Sequence, residues 1–504
     1  MLRREFLAGL PAAAWGAASR LQVEIRERGG KTPGPARVYV VDGEGKLLAP
    51  AGAITYKRRE EEHFVCDGRF EIELPPGEYS LRVERGLEYR AGTTELALRA
   101  GESREVLIEL ERWISMNEIG WYSGDLHNHR KVEEMPSLLA AEDLNIAPTL
   151  TDWIWEGRPI SRPPETAEAI RRLDARRAYS VLDKEVERLK QGPGAVDLLA
   201  LKRAIPFEGD WLYPPNDVFC RQAHTQGGYV DAEKILWRDI PALVALGHVD
   251  FGGVVHNHFN RHGVDTETEP WGMAPKDKPE YDTPLGLALW TLEVYYRFLN
   301  CGFRLAASAG SASGVKAAPL GYNRVYVHMQ EAFSYESWFR ALKEGRSFAT
   351  NGPILLLTAD GKMPGAIVEL PAGGGRIRVK AEGRSAGTIE RLEIVWKGRV
   401  VKTGGTNVAE VDLPVRESGW VAARAFEPPG KTIRFAQTSP IWVRVGRDPG
   451  IVAEDARYFT AWLRREADLY RKETGFRLPE HQRAMVELFE KGEAVYARLA
   501  REAE

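Results

Sequence analysis

Apolar and polar positions change their period along the chain. From about 21 to 112 they alternate two by two: Leu21 to Arg26, Ala36 to Val41, Arg69 to Leu74 and Tyr79 to Val83 predict short, half-buried strands. Asp42-Gly43-Glu44-Gly45 and Pro75-Pro76-Gly77 supply turns between them. From about 118 to 350 strand-like runs alternate with helical stretches, which predicts an α/β region with a parallel sheet or barrel. Ile146 to Leu150, Tyr229 to Ala232, Phe251 to Val255 and Phe303 to Ala307 read as strands. Pro163 to Lys190 reads as a long charged helix, and Val218 to Gln226, Ile240 to Leu246 and Thr283 to Asn300 as further helices. From about 353 to 445 period two returns, in Ile354 to Leu357, Arg376 to Lys380, Leu392 to Trp396, Trp420 to Ala425 and Ile441 to Val445, which predicts a second β-sandwich. Two amphipathic helices then meet around Gly475 and Pro479.

Composition narrows the class. The 504 residues are 43% hydrophobic and 28% charged, enough for several well-buried domains. A formal charge of −3 argues against a nucleic-acid partner; the basic cluster Lys57-Arg58-Arg59 is followed at once by Glu60-Glu61-Glu62, a solvated hairpin. No apolar run reaches membrane-span length, so no integral membrane segment is expected in the mature chain. Cys66, Cys220 and Cys301 lie far apart without Cys-x-x-Cys spacing and read as free thiols. Met1-Leu2-Arg3-Arg4-Glu5-Phe6-Leu7 resembles a twin-arginine export signal, followed by an Ala-rich stretch and small residues up to Ala18. This implies a leader over 1–19 and a periplasmic or cell-envelope destination in a bacterium. The oligomeric state is not legible.

The chemistry concentrates in Trp121-Tyr122-Ser123-Gly124-Asp125-Leu126-His127-Asn128-His129-Arg130. Side chains two apart on an extended segment share a face, so both imidazoles can reach one ion. With ten histidines in 504 residues, a His-x-His after an apolar run is unexpected by chance. Asp152, Glu233, His256 and His258 also follow apolar strands and fall on the same strand-end rim in an α/β barrel. His63, His224, His248, His328 and His481 do not, and are set aside.

Gly124-Asp125-Leu126-His127-Asn128-His129 resembles the first motif of the polymerase-and-histidinol-phosphatase (PHP) metallohydrolases. Leu342 to Pro353, Gly321-Tyr322-Asn323-Arg324 and Thr438-Ser439-Pro440-Ile441 are similar to motifs of their carbaryl-hydrolase-like (CehA/McbA) branch. Phe70 to Leu81 resembles a carboxypeptidase-regulatory-like β-sandwich. The resemblance implies an α/β fold, with a PHP-like distorted (β/α) barrel over 116–352. This is flanked by β-sandwich domains over 20–115 and 353–447 and followed by a helical hairpin over 448–504. It further implies a metal cluster that hydrolyses amide, ester, carbamate or phosphate bonds, and it offers Glu134 as a ligand. The chain departs from the family at Trp153, where a histidine is expected after Thr-Asp, at Glu233-Lys234 in place of His-Pro, and at Ala312 in place of an aspartate.

His256 and His258, again two apart, are the candidate replacements. Four imidazoles with Glu134 or Glu233 would satisfy one or two divalent ions, zinc first, with manganese and iron also suited. Such an ion acidifies a bound water and polarises the substrate. Asp152 or Glu233 then relays the proton, Lys234 and Arg324 contact anionic oxygen, and Trp153 and Trp155 wall the pocket. The expected function is an exported hydrolase acting on a small-molecule or saccharide-derived substrate. The rivals are an inert PHP-like ligand-binding protein and a metal-dependent lyase on a sugar acid.

Overall fold

The computed structural model describes residues 18–166, 168–265, 278–405 and 407–504; most of the leader read over 1–19 lies outside them. The chain divides into two compact units. One comprises the segment up to Tyr56 with Glu62–Arg85 and Arg90–Arg112, and the other comprises Lys57–Glu61, Gly86–Tyr89 and Trp113–Glu504.

The first unit is built from the expected alternation. In strand Ser19–Glu27, Leu21, Val23 and Ile25 point inward, and the strand pairs antiparallel with Arg69–Leu74 and parallel with Ser103–Leu110. A second sheet runs Ile54–Arg58, Glu61–Cys66, Ala36–Asp42, Gly77–Glu84, Gly92–Leu98, burying Val38, Val40, Phe64, Leu81 and Val83. The hairpin after Ala36–Asp42 is closed by Asp42, whose carboxylate accepts the Glu44 and Lys46 N–H groups at 3.0 and 2.9 Å.

The second unit corrects the expected fold class. Its strands lie in open sheets, and no barrel closes among the described residues, of which 37% are strand and 22% helix. A (β/α) barrel needs a helix after each strand. Among the described residues none is formed between Leu150 and Leu199, and strands follow one another directly. One seven-stranded sheet runs Arg158–Pro159, Leu150–Trp155, Asp183–Arg188, Gly194–Leu199, Tyr229–Asp231, Phe251–Val255, Ala306–Ala309. Its third, fourth and fifth members pair antiparallel, which a (β/α) barrel does not allow.

The helix expected over Pro163 to Lys190 is instead three strands, Ile170–Arg172, Ala178–Ser180 and Asp183–Arg188. The physical reason is clearest in the last strand, where most of the charges are buried and partnered inside the protein. Lys184 meets Asp152 at 2.7 Å, Arg188 bonds to Asn216, and Asp183 accepts from Ser180 and from the Leu201 N–H. Charge density there marks an internal network, whereas charge on a helix usually marks a solvated face.

A second, larger sheet places Trp121–Gly124 between Ile146–Ala147 and Arg324–His328. It continues through Ser347–Thr350 and Phe435–Thr438 into Gly419–Phe426, Arg391–Trp396 and Arg399–Thr403. Strands Ile367–Leu370, Arg391–Trp396, Arg399–Thr403, Gly419–Phe426, Phe435–Thr438 and Ile441–Val445 therefore share a sheet with the strand that carries the histidine motif. Across from them, Ile354–Ala359, Gly375–Arg384 and Val408–Val415 close a core of Leu357, Ile377, Val379, Leu392, Ile394, Val421 and Val443.

Helices Ala453–Lys472 and Pro479–Glu502 pack through Phe459 on Tyr496 and Tyr470 on Phe489. Their shared face covers helix Ile240–Ala245, where the Tyr496 hydroxyl donates to the Pro241 carbonyl at 3.0 Å. Among the described residues no helix is long and apolar enough to cross a membrane.

Candidate metal centre

Strand Trp121–Gly124 delivers the chain to Asp125, a fully buried carboxylate that organises the turn after it. One oxygen accepts the N–H groups of His127 and Ser311 at 3.1 and 2.9 Å, and the other accepts the Gly321 N–H at 2.7 Å together with the Ser311 hydroxyl. The backbone of 127–129 is then pinned beside 312–313: the His127 carbonyl accepts the Ala312 N–H, and the His129 N–H donates to the Ser313 carbonyl, both at 2.7 Å. Gly310 makes the close approach possible, because a Cβ there would stand 2.4 Å from His127 Cβ. The two rings meet with 3.1 Å between their Nε2 atoms.

The acidic side comes from the seven-stranded sheet. Its register aligns Trp153 with Glu185, Glu185 with Asp197, and Asp197 with Asp231, so these four side chains share one face across adjacent strands. Glu187 shares that face two residues on. Glu185 Oε2 lies 3.1 Å from His129 Nε2, and Glu185 Oε1 lies 3.6 Å from His127 Nε2. His127, His129 and Glu185 thus each bring one ligand atom within 4.8 Å of the others. On the far edge of the His127 ring, Nδ1 faces Asp197 Oδ2 at 3.3 Å and Glu233 Oε1 at 3.5 Å. Glu233 sits at a left-handed φ of 47°, with its carbonyl pressed onto Gly253, where a Cβ would come within 2.1 Å.

Charge is unbalanced here. Glu185, Asp197, Asp231 and Glu233 are buried, Glu187 joins them, and the ammonium among them is Lys234. Burial, and then the charge of Glu185, push the Glu187 and Asp197 carboxyls well above the usual range. Burial raises Asp231 to about 7 against a 2.7 Å bond from the Ser308 hydroxyl. Glu233 goes the other way: burial raises it, but the Lys234 charge and contacts with His127 outweigh burial and hold it ionised. His127 is raised although burial lowers it, because Glu185 and Glu233 favour its cationic form.

A divalent cation fits this site. The 3.1 Å approach of His129 to Glu185 Oε2 is not aligned as a hydrogen bond, and that oxygen has no hydrogen-bond partner. Two imidazoles and a carboxylate are a borderline-soft donor set.

The structure brings together His127, His129, Glu233, Lys234 and Trp153. The Trp153 ring lies 4.8 Å from that of His129, and its N–H donates to Glu187 at 3.1 Å. Trp155 shares that strand face farther out and is 44% exposed.

Other expected residues are elsewhere. Glu134, offered as a ligand, is held by Arg130 through contacts of 3.1 and 2.7 Å. Asp152 points to the opposite face of its strand and pairs with buried Lys184, so it does not serve as a base at the centre. Arg324 is buried and spends its guanidinium on the carbonyls of Gly321 and Glu142, at 2.6 and 3.2 Å, so it is not a substrate contact. His256 and His258 stand outside the three-residue group. His256 Nδ1 accepts the His258 N–H and its Nε2 meets Thr291, both at 3.3 Å, while His258 Nδ1 faces the Asp265 carbonyl at 3.0 Å. Burial and the Lys234 charge hold both neutral, His256 down to about 3.

Glu185 and Glu187 were not legible as site residues once 163–190 was read as helix, and Asp197 and Asp231 were not singled out because their role depends on cross-strand register with Glu185. The signal available was Ala195-Val196-Asp197-Leu198-Leu199, an acid inside an apolar strand-length run.

No family model and no curated protein matches this chain. Among solved structures, the Bacillus anthracis TIE protein is 11% identical over 23% of this chain and 20% of that one, with a TM-score of 0.15; the likeness spans about a fifth of that protein. The N-terminal four Ig domains of Dscam1 isoform 7.44 are 8% identical over 86% of this chain and 73% of that one, with a TM-score of 0.14. At such scores neither likeness bears on fold or function.

Two substitutions separate the centre from its scaffold. Asp152→Asn leaves Lys184 buried without its counter-charge and is expected to cost about 3–5 kcal/mol, seen as a lower melting temperature with zinc binding retained. Glu185→Gln is expected to abolish zinc binding without lowering the metal-free melting temperature. The opposite pattern would exchange the two roles.

Zinc binding should also depend on pH. Carboxyls with raised pKa values, Asp231 at about 7 among them, hold protons that a cation must displace, as does His127. Apparent zinc affinity is therefore expected to rise between pH 6 and pH 8, with protons released on binding. A flat profile in titration calorimetry would show that these groups are ionised beforehand.

Proposed function

We propose that this protein is an exported metal-dependent hydrolase built around one divalent ion, zinc first, at His127, His129 and Glu185. The carrying observation is the convergence of three ligand atoms within 4.8 Å on a buried, net-negative face. The resemblance of Gly124 to His129 to the PHP motif supports the reaction class, cleavage of an amide, ester, carbamate or phosphoester bond. When bound, a zinc ion supplies a Lewis acid and an acidified water.

This chain's own residues supply the rest. Glu187, its carboxyl raised well above the usual range by burial and then by the charge of Glu185, is placed to hold a proton beside Trp153. Glu233 is a poorer base than its position suggests, because it accepts from Lys234 at 2.5 and 2.6 Å, from Trp237 at 2.6 Å and from Asn257 at 2.7 Å. The Lys234 ammonium neutralises that side of the cluster, where a second cation would otherwise be needed, which favours a one-ion centre. Trp153 and exposed Trp155 offer an aromatic wall to a small-molecule or saccharide-derived substrate. The saturation of Glu233 favours a second reading, metal-assisted ligand capture without turnover.

Elemental analysis of the purified full chain is expected to give about one zinc per chain. Hydrolysis of a panel of aryl esters, carbamates and phosphate esters should then be lost with chelator and restored by zinc. Zinc bound with no turnover on any member would favour ligand capture, and zinc-independent turnover would refute the proposal. Export rests on the leader: Arg3→Lys with Arg4→Lys should trap precursor in the cytoplasm, and undiminished export would remove that part.

A further inference from the structure

We infer that Asp197 is the positioning residue for His127, accepting a hydrogen bond from its Nδ1–H so that Nε2 presents a lone pair beside His129 and Glu185. The inference rests on the metal-centre reading and assigns a role to a carboxylate that this reading leaves without one. Two acids face His127 Nδ1, Asp197 at 3.3 Å and Glu233 at 3.5 Å. They differ in what they still need. Each Glu233 oxygen already accepts two donors, from Lys234 with Asn257 on one side and Lys234 with Trp237 on the other. Asp197 is 0% exposed, and neither of its oxygens has a hydrogen-bond partner. An orphaned buried carboxylate is costly, and His127 Nδ1, 3.3 Å away though not aligned as a hydrogen bond, is the ring nitrogen that faces it.

The sheet fixes this arrangement. Asp197 pairs in register with Glu185 on one side and Asp231 on the other, so its carboxylate cannot drift relative to Glu185. Glu185 lies toward Nε2 of the His127 ring and Asp197 toward Nδ1. The ring is thereby held between two neighbouring strands, with its proton on one edge and its lone pair on the other. A carboxylate on the outer nitrogen sets the tautomer and raises the basicity of the inner one. Asp197 acts through the imidazole, on the side of the ring away from the ligand atoms.

The test uses the full chain with Asp197→Leu, which keeps the branching and removes the acceptor, and Asp197→Asn, which keeps a neutral acceptor. Two readouts are taken. One is the His127 tautomer in the metal-free protein above neutral pH, read from the side-chain nitrogen resonances. The other is the zinc dissociation constant from chelator competition. Expected are a protonated Nδ1 in the wild type, its loss in Asp197→Leu, and zinc affinity weakened by about 10–100-fold there, with Asp197→Asn between. An unchanged tautomer and affinity in both variants would overturn the inference while the metal centre stands. If the wild type binds no zinc but the tautomer still follows Asp197, the centre falls and the positioning role holds. Should Asp197→Leu fail to fold, shown by lost amide dispersion, Asp197→Asn carries both readouts alone.

Discussion

The constraint that organises this molecule is buried negative charge on one face of an open sheet. Three adjacent strands place Glu185, Asp197 and Asp231 side by side, and Glu187 and Glu233 add to them. Carboxylates at cross-strand distances repel one another, and removal from water makes each charge more costly. The chain answers with Lys234, with hydrogen bonds from Ser308, Asn257 and Trp237, and with raised carboxyl pKa values. What these do not satisfy converges on the two nitrogens of His127 and on Glu185. The proposed cation between the histidines and Glu185 would relieve the remaining imbalance.

Such a face demands a rigid frame. The histidines come from one sheet and the acids from another, so the centre exists only because the segments after Trp121–Gly124 and Ala306–Ala309 are tied together. Asp125 and Ser311 make that tie, and Gly310 allows the backbone to come close enough. The C-terminal strands extend the sheet that carries the histidines, so the long chain beyond residue 350 belongs to the frame of the site.

The histidine pair was legible because its two-residue spacing needs only local geometry. Several elements were legible for the same reason: Phe251–Val255 and Ile441–Val445 form as their apolar runs suggest. The barrel was not, because a family resemblance in short motifs does not determine how strands pair. The stretch 163–190 misled most. Its lysines, arginines and acids look like a solvated helix, yet those of Asp183–Arg188 are mostly buried and partnered by residues elsewhere in the chain, and Glu185 lay hidden among them. The pairing of His256-Asn257-His258 with the first motif failed for a related reason. Equal spacing gives each pair a shared face but says nothing of what that face meets, and here it meets Thr291 and the Asp265 carbonyl.

The most direct test is a crystal of the zinc-soaked protein measured at the zinc absorption edge. One anomalous peak is expected within about 2.0–2.2 Å of a nitrogen from His127, a nitrogen from His129 and an oxygen from Glu185. A peak seated on His256 and His258, or none at either place at saturating zinc, would contradict it.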